Sequence, residues 1–347
     1  MHSLVKFFAS FGLLVLAFLL GIFGTYSWLQ TSFHSPLARS ETEERVFVIE
    51  KNDNLKVVSE RLEEQDFIRA WWNVYYLSVI KGDERSDRIL PGEYKLSASL
   101  APDEILEHIL SGDVFYRVLT IPEGKTVSDI AKLLAETGIV SLEEAEKALN
   151  SPQLMYSNGI RNGSFEGYLF PETYKFTKPS DTAEVMIKKM VEEGKQRIAR
   201  EIPDFNSMSI NVGLTPQQVI TLASIVEKET GKAEERQLIA SVFHNRLRIG
   251  MPLQSDPTVI YGIKDFDGNL TKAHLQDKSN SYNTYVHPDL PPTQICNPGI
   301  AAIQAVLNPA DTDYLYFVSK NDGSHQFSSS YKEHRKAVRE YQKKKKS

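Results

Sequence analysis

The sequence predicts an α+β protein carried on one N-terminal transmembrane helix, and three observations predict it. An uncharged apolar run of 23 residues stands near the start. A strand-then-helix pattern occurs twice at a fixed spacing in the first half, and the last third changes to helical periodicity interrupted by Pro- and Gly-rich loops. At 347 residues the chain exceeds what one hydrophobic core usually organises, so several units are expected.

The apolar run, Phe7 to Leu29, covers the roughly 30 Å of a bilayer core at about 1.5 Å per helical residue. It is longer than the apolar region of a cleaved signal peptide, and no small-x-small site follows it, so an uncleaved anchor is expected. Lys6 and the terminal amine precede it, whereas Glu41, Glu43 and Glu44 surround Arg39 beyond it. That bias places residues 1–6 in the cytoplasm, 7–29 in the inner membrane as a single pass, and the bulk of the chain in the periplasm. Tyr26 and Trp28 suit the interfacial aromatic belt. Residues 30–44 read as a polar linker.

Next comes VFVIEKNDNLKVVSERLEEQDFI, and its pattern returns as VLTIPEGKTVSDIAKLLAETGIV at an offset of 72. Ile49 matches Ile121, Leu55 matches Val127, Val58 matches Ile130, Leu62 matches Leu134 and Ile68 matches Val140. A second pair, GEYKLSASLAPDEIL from Gly92 and ETYKFTKPSDTAEVM from Glu172, gives an aromatic strand followed by a capped helix each time. Two related α+β units are therefore expected, at 45–115 and 116–212. The first resembles a LysM-like module, a small fold associated with glycan binding; a spacer role for both units is the open alternative. LPGEY and GYLFPETY set turns beside aromatic rings that either stack on sugar or pack inward.

From residue 213 long helices dominate. Thr215 as N-cap, Pro216 behind it and Gln218 three residues on open a helix whose stripe is Val219, Leu222, Ala223 and Val226, with Gly231 ending it. Ala233 to Arg248 is a second helix with Leu238, Val242 and Leu247 inward, closed by Gly250. The loop-rich MPLQSDPTVIYGI and SYNTYVHPDLPPTQICNPG follow, then a helix from Ile300 to about Leu307 and a hairpin of YLYFVSK and HQF. Residues 342–347 form a basic tail.

Composition narrows the function. With 41% hydrophobic and 24% charged residues and a net charge of -5, the chain is a folded protein with no indication of nucleic-acid binding. The single Cys296 has no partner for an internal disulfide and is expected as a small buried or loop residue. GKT at Gly124 lacks the upstream glycine of a phosphate loop, and there is no Gly-x-Ser-x-Gly, His-Glu-x-x-His or Cys-x-x-Cys, so neither metal nor cofactor is expected. Ser329 with Lys332 and Ser281 with Asn283 stand in reversed order for a penicillin-binding enzyme and lack Lys-Thr-Gly.

Glu227 and Glu229 remain, both in the last turn of the first long helix. A carboxylate there meets the negative end of the helix dipole and partial desolvation, and both favour the protonated form that general acid catalysis needs. The residues themselves do not choose between the two, and a solvated helix end is the plain alternative.

LASIVEKET, FHNRLRIGMPLQSDPTVIYG, SYNTY, LPP, NPG, YLYFV, the upstream EGYLFPETY and the anchor resemble the YceG-like family of endolytic murein lytic transglycosylases across nearly the whole chain. The resemblance implies a catalytic domain at 213–341 with a loop-rich cleft. It implies cleavage of the β-1,4 bond between N-acetylmuramic acid and N-acetylglucosamine within peptidoglycan strands, leaving 1,6-anhydro ends. It carries the catalytic acid onto Glu227. Glu229, Gln254, Asp256, Asn283, Tyr285 and Glu166 are the candidate substrate-binding groups, each with turn formation or capping as its structural alternative. Glycan strands, the membrane and peptidoglycan synthases are the partners it implies. A non-catalytic glycan-binding scaffold and a plain hydrolase are the competing functions.

Overall fold

The computed structural model describes residues 2–82, 85 and 89–343, in two compact units. The basic tail therefore lies, from residue 344, outside the described residues.

Unit 1 comprises Met1–Arg117 and Lys175–Asp181. Its first helix, α1 (His2–His34), contains a 24-residue stretch, Phe11–His34, long and apolar enough to cross a membrane. The expected linker at 30–44 begins later than the sequence suggests, because α1 continues to His34. The reason is packing: Phe33 is buried in the core of unit 1, Leu29 packs against it, and the Trp28 ring lies 5.3 Å from that of Trp72. Trp28 is thus held by protein as well as standing at the end of the apolar span.

Strand β1 (Arg45–Ile49), helices α2 (Leu55–Glu64) and α3 (Trp72–Lys81), and strand β2 (Gly92–Leu96) follow, with α4 (Pro102–Ser111) behind them. Asn54 caps α2 by accepting from the Val57 amide, and Leu55, Val58 and Leu62 make its buried stripe. β1 and β2 pair antiparallel with Phe47 opposite Tyr94, and both rings are fully buried. Alternation along these strands puts Phe47, Ile49, Tyr94 and Leu96 onto α2 and α4.

Unit 2 comprises Val118–Tyr174 and Thr182–Ser347. The predicted offset of 72 appears residue for residue in α5 (Val127–Glu136), which repeats α2. Thr126 caps it and Asp129 returns the bond to the Thr126 amide. β3 (Arg117–Thr120) and β4 (Thr173–Phe176) form the second two-stranded sheet. Helices α6 (Leu142–Leu149) and α7 (Pro152–Ser157) lie between these strands in sequence, and α8 (Ala183–Glu201) and α9 (Phe205–Asn211) lead onward.

The core of unit 2 is built by α10 (Pro216–Glu229), α11 (Arg236–Arg248) and α14 (Ile300–Leu307). Val219, Leu222, Ala223 and Val226 of α10 are buried as the stripe predicts. In α11 the inward positions are Ile239, Ala240, Phe243 and the expected Val242, while Leu238 and Leu247 are only partly buried. Short α12 (Asp256–Tyr261) and α13 (Lys272–Gln276) occupy stretches that read as loop, and β5 (Tyr316–Ser319), β6 (His325–Ser328) and α15 (Tyr331–Val338) follow α14, with one more helical turn at Arg339–Lys343. β5 and β6 are the expected hairpin, with Phe317 opposite Phe327.

The sequence divides residues 116–212 from 213–341, whereas the structure joins them. Asn297, from the helix-rich part, donates its amide N–H to the Lys125 carbonyl at 2.9 Å, accepts the Gly124 N–H at 2.9 Å, and takes the Leu169 N–H on Oδ1 at 2.8 Å. A fully buried residue of one stretch bonded to two segments of the other is part of one packing unit.

Candidate active site

The site is built from the C-terminal end of α10. Thr215 accepts from the Gln218 amide at 3.2 Å while the Gln218 side chain accepts from the Thr215 amide at 2.9 Å, fixing the register with which the helix ends. Two residues on a helix diverge by about 200° at 3.6 residues per turn, so Glu227 and Glu229 face different surroundings.

Glu227 faces the start of α14. Its Oε2 accepts the Gly299 N–H at 3.1 Å, and its Oε1 lies 3.7 Å from Nη2 of Arg236, at the start of α11. The same Nη2 is 3.7 Å from Oε2 of Glu123, in the turn between β3 and α5. The side chain of Glu227 is 7% exposed, that of Arg236 14%, and that of Glu123 45%. Burial raises the Glu227 pKa first of all, and the Glu123 charge raises it further. The Gly299 N–H and Arg236 oppose them, without cancelling the rise. The α10 dipole expected to favour protonation is thus met by the opposite end of α14. Beside it, Lys228 donates to the Gly124 carbonyl at 3.4 Å.

Glu229 meets the loops. Ser255 Oγ donates to its Oε1 at 2.5 Å, and burial, with Asp256 adding its charge, pushes its pKa up to about 7. The Ser255 hydrogen bond and Arg246 pull the other way. Tyr285 Oη donates to Asp256 Oδ1 at 2.6 Å. Gln254, exposed and at φ 50°, donates its backbone N–H to the Thr284 carbonyl at 3.0 Å. Asn283 is fully buried; its Nδ2 donates to the carbonyls of His274 (3.1 Å) and Asp277 (2.9 Å), and its Oδ1 accepts the Tyr285 N–H (3.0 Å). The structure therefore gathers Glu229, Gln254, Asp256, Asn283 and Tyr285 into one loop cluster. Glu227 makes its polar contacts elsewhere.

Glu166 stands apart from both. It is 2% exposed, and its carboxylate accepts from the Val127 N–H at the start of α5 (3.2 Å), Tyr261 Oη (2.9 Å) and Asn297 Nδ2 (3.2 Å). Burial pushes its pKa up to about 7 against the pull of those donors. Each donor is a protein group, so the carboxylate ties α5, α12 and the 297 loop together.

Sequence reasoning missed Glu123, Arg236, Gly299, Ser255 and Asn297 as members of these clusters. Gly299 carries a spatial signal: a Cβ on it would lie 1.7 Å from Glu123 Oε1, so glycine lets that carboxylate pack against the start of α14. The flanking Asn-Pro-Gly reads only as a turn.

A pH dependence of stability follows from the raised pKa values of Glu229 and Glu166. Each carboxyl ionises near its ordinary value when unfolded but holds its proton until about pH 7 when folded. The stability these two groups contribute is therefore fully present below about pH 4.5 and is lost as pH rises from there through about 7. Urea unfolding at pH 5 and 7.5 is expected to show a lower midpoint at 7.5, and Glu229→Gln is expected to shrink that difference by removing one of the two protons.

The YceG-like family model matches residues 47–340. The chain is 30% identical over 308 residues to the endolytic murein transglycosylase of Bacillus subtilis strain 168, covering 84% of this chain and 83% of that protein. It is 30% identical over 281 residues to the endolytic murein transglycosylase of Streptococcus pneumoniae serotype 2 strain D39, covering 72% of this chain but only 50% of the relative. The crystal structure of a yceG-like protein from Listeria monocytogenes aligns with a TM-score of 0.58 at 29% identity, covering 85% of this chain and 99% of that one.

Proposed function

The chain belongs to the YceG-like family, and from that premise we propose a membrane-anchored endolytic peptidoglycan transglycosylase in which Glu227 serves first as acid and then as base. The observation that carries the assignment is a carboxyl group 7% exposed at the end of a buried helix, with its pKa raised. Protonated Glu227 gives its proton to the oxygen of the β-1,4 bond between N-acetylmuramic acid and N-acetylglucosamine as the bond from that oxygen to the muramic C1 breaks. The resulting carboxylate takes the proton of the muramic 6-hydroxyl, and O6 bonds to C1. No water is consumed, and the product ends in 1,6-anhydromuramic acid. One carboxyl suffices because the proton it loses in the first half returns in the second.

The loop cluster of Gln254, Asp256 and Tyr285 is the proposed sugar-binding side, with the buried Asn283 holding the loop by its three backbone bonds and Glu229 at its back. A second assignment, Glu229 as the acid, is favoured by its membership of that cluster and by a pKa raised to about 7. The first 117 residues bring an apolar helix, which supports anchoring, and the Lys6 side of that helix is proposed to face the cytoplasm, with the rest periplasmic and the anchor in the inner membrane. The strand–helix–helix–strand order of residues 45–96 supports a LysM-like, glycan-holding unit. An anchored enzyme cutting inside nascent strands would end their elongation, in company with peptidoglycan synthases.

The test is product mass. Full-length protein in detergent, incubated with uncrosslinked strands, is expected to yield internal cuts whose new termini are lighter by one water than hydrolytic reducing ends. Reducing ends would make the protein a hydrolase, and binding without cutting would make it a scaffold.

A further inference from the structure

We propose that Glu123 and Arg236 are positioning residues for Glu227, and that the Arg236 guanidinium is shared between the two carboxylates, leaning to Glu227 when that group has given up its proton and to Glu123 when it has regained it. The inference rests on Glu227 as the acid. Its geometric basis is the symmetry of the contact: Nη2 of Arg236 stands 3.7 Å from an oxygen of each glutamate. At 3.7 Å neither separation is a closed hydrogen bond, so the guanidinium, although it already pulls on Glu227 as a charge and as a donor, is locked to neither carboxylate. Its Nε is buried without a hydrogen-bond partner among the described residues, which leaves that side of the group unpinned as well. A small swing of a buried cation between two anions changes which pair is made, and little else.

The arrangement suits a group that must be acid and base in one turnover. An acid needs neighbours that disfavour its charge, whereas a base just formed needs its charge held. Glu123 supplies the first, and Arg236 the second. Among the described residues, the groups that act on Glu227 are Glu123 from the turn before α5, Arg236 from α11, the Cys296 thiol from the 296 loop and the Gly299 N–H at the start of α14, with Lys228 next to it on its own helix. Lys228 is occupied with the Gly124 carbonyl, and the buried Cys296 thiol, whose pKa burial raises, brings no charge at neutral pH. Gly299 holds Glu123 and Glu227 together, since its missing Cβ is the space Glu123 fills and its N–H is the one Glu227 accepts.

The experiment is the pH profile of kcat/KM for full-length protein in detergent acting on uncrosslinked strands, for wild type, Glu123→Gln, Arg236→Gln and Glu227→Gln. The alkaline limb reports loss of the acid's proton. Glu123→Gln removes a negative neighbour and is expected to move that limb to lower pH by about one unit, and Arg236→Gln to move it to higher pH by about as much. Opposite displacements are the signature, because a merely structural role would lower activity without moving the limb in opposed directions. Profiles that coincide with wild type, or move the same way, overturn the proposal while an inactive Glu227→Gln leaves the acid assignment standing. A Glu227→Gln protein as active as wild type removes the acid assignment, and this inference with it. Should Arg236→Gln fail to fold by circular dichroism, Arg236→Lys is read instead, with an alkaline limb at wild-type pH expected and a displaced one contradicting the proposal.

Discussion

Glu227→Gln is expected to lower kcat/KM for strand cleavage by about 10²- to 10⁴-fold, the range in which positioned general acids contribute. Glutamine keeps the shape and can still accept the Gly299 N–H, so the helix end and the start of α14 remain in register. What it lacks is a proton that can leave. Binding of glycan strands should change little, because the loss falls on the transition state and hence on kcat. Folding stability should not fall either, since the wild-type group is already buried with its charge disfavoured, and a neutral amide removes a desolvation penalty. An activity loss without a stability loss is the pattern that separates a working acid from a structural one. Cleavage kinetics, strand co-sedimentation and urea unfolding on the same preparation measure all three.

Asn297→Ala is expected to give the largest loss of stability, about 3 kcal/mol, as the urea unfolding of full-length protein in detergent would measure it. The side chain is fully buried and joins three segments: Oδ1 holds the Leu169 N–H, and Nδ2 donates to the Lys125 carbonyl and to Glu166. Alanine leaves the Leu169 N–H without its acceptor and takes a donor from a buried carboxylate, so two desolvated groups lose partners at once. Activity should fall as well, because the Nδ2 bond to the Lys125 carbonyl, which helps to hold the turn that carries Glu123 and Gly124, is lost. Asn297→Asp separates these effects. It keeps the acceptor for Leu169 but sets a carboxylate beside Glu166, whose pKa already stands near 7, so its penalty should grow as pH rises.

Local signals in the sequence carried far. Thr215, Pro216 and Gln218 announce α10 because a cap is an exchange among neighbours three residues apart, and the observed bonds are the ones that pattern implies. The offset of 72 places α5 on α2 because both bury the same 3.6-residue stripe. α12 escaped because six residues are too few for that period to register. The partner of each glutamate escaped for another reason: Glu123 and Arg236 stand 104 and 9 positions from Glu227, and no local pattern encodes a meeting decided by tertiary packing. The same limit applies to Glu166, whose contacts with Val127, Tyr261 and Asn297 come from three distant stretches. Residue type and helix position pointed to an acid at the end of α10, but the surroundings that distinguish Glu227 from Glu229 come only from the fold.

Whether one carboxyl at Glu227 both donates and recovers the proton is decided by counting 1,6-anhydro termini by mass spectrometry after full-length wild type, Glu227→Gln and Glu229→Gln each act on uncrosslinked strands. Anhydro termini are expected from wild type and from Glu229→Gln, and none above background from Glu227→Gln. Anhydro termini from Glu227→Gln with none from Glu229→Gln would contradict that role for Glu227, and would move the acid to the Ser255 side of the helix.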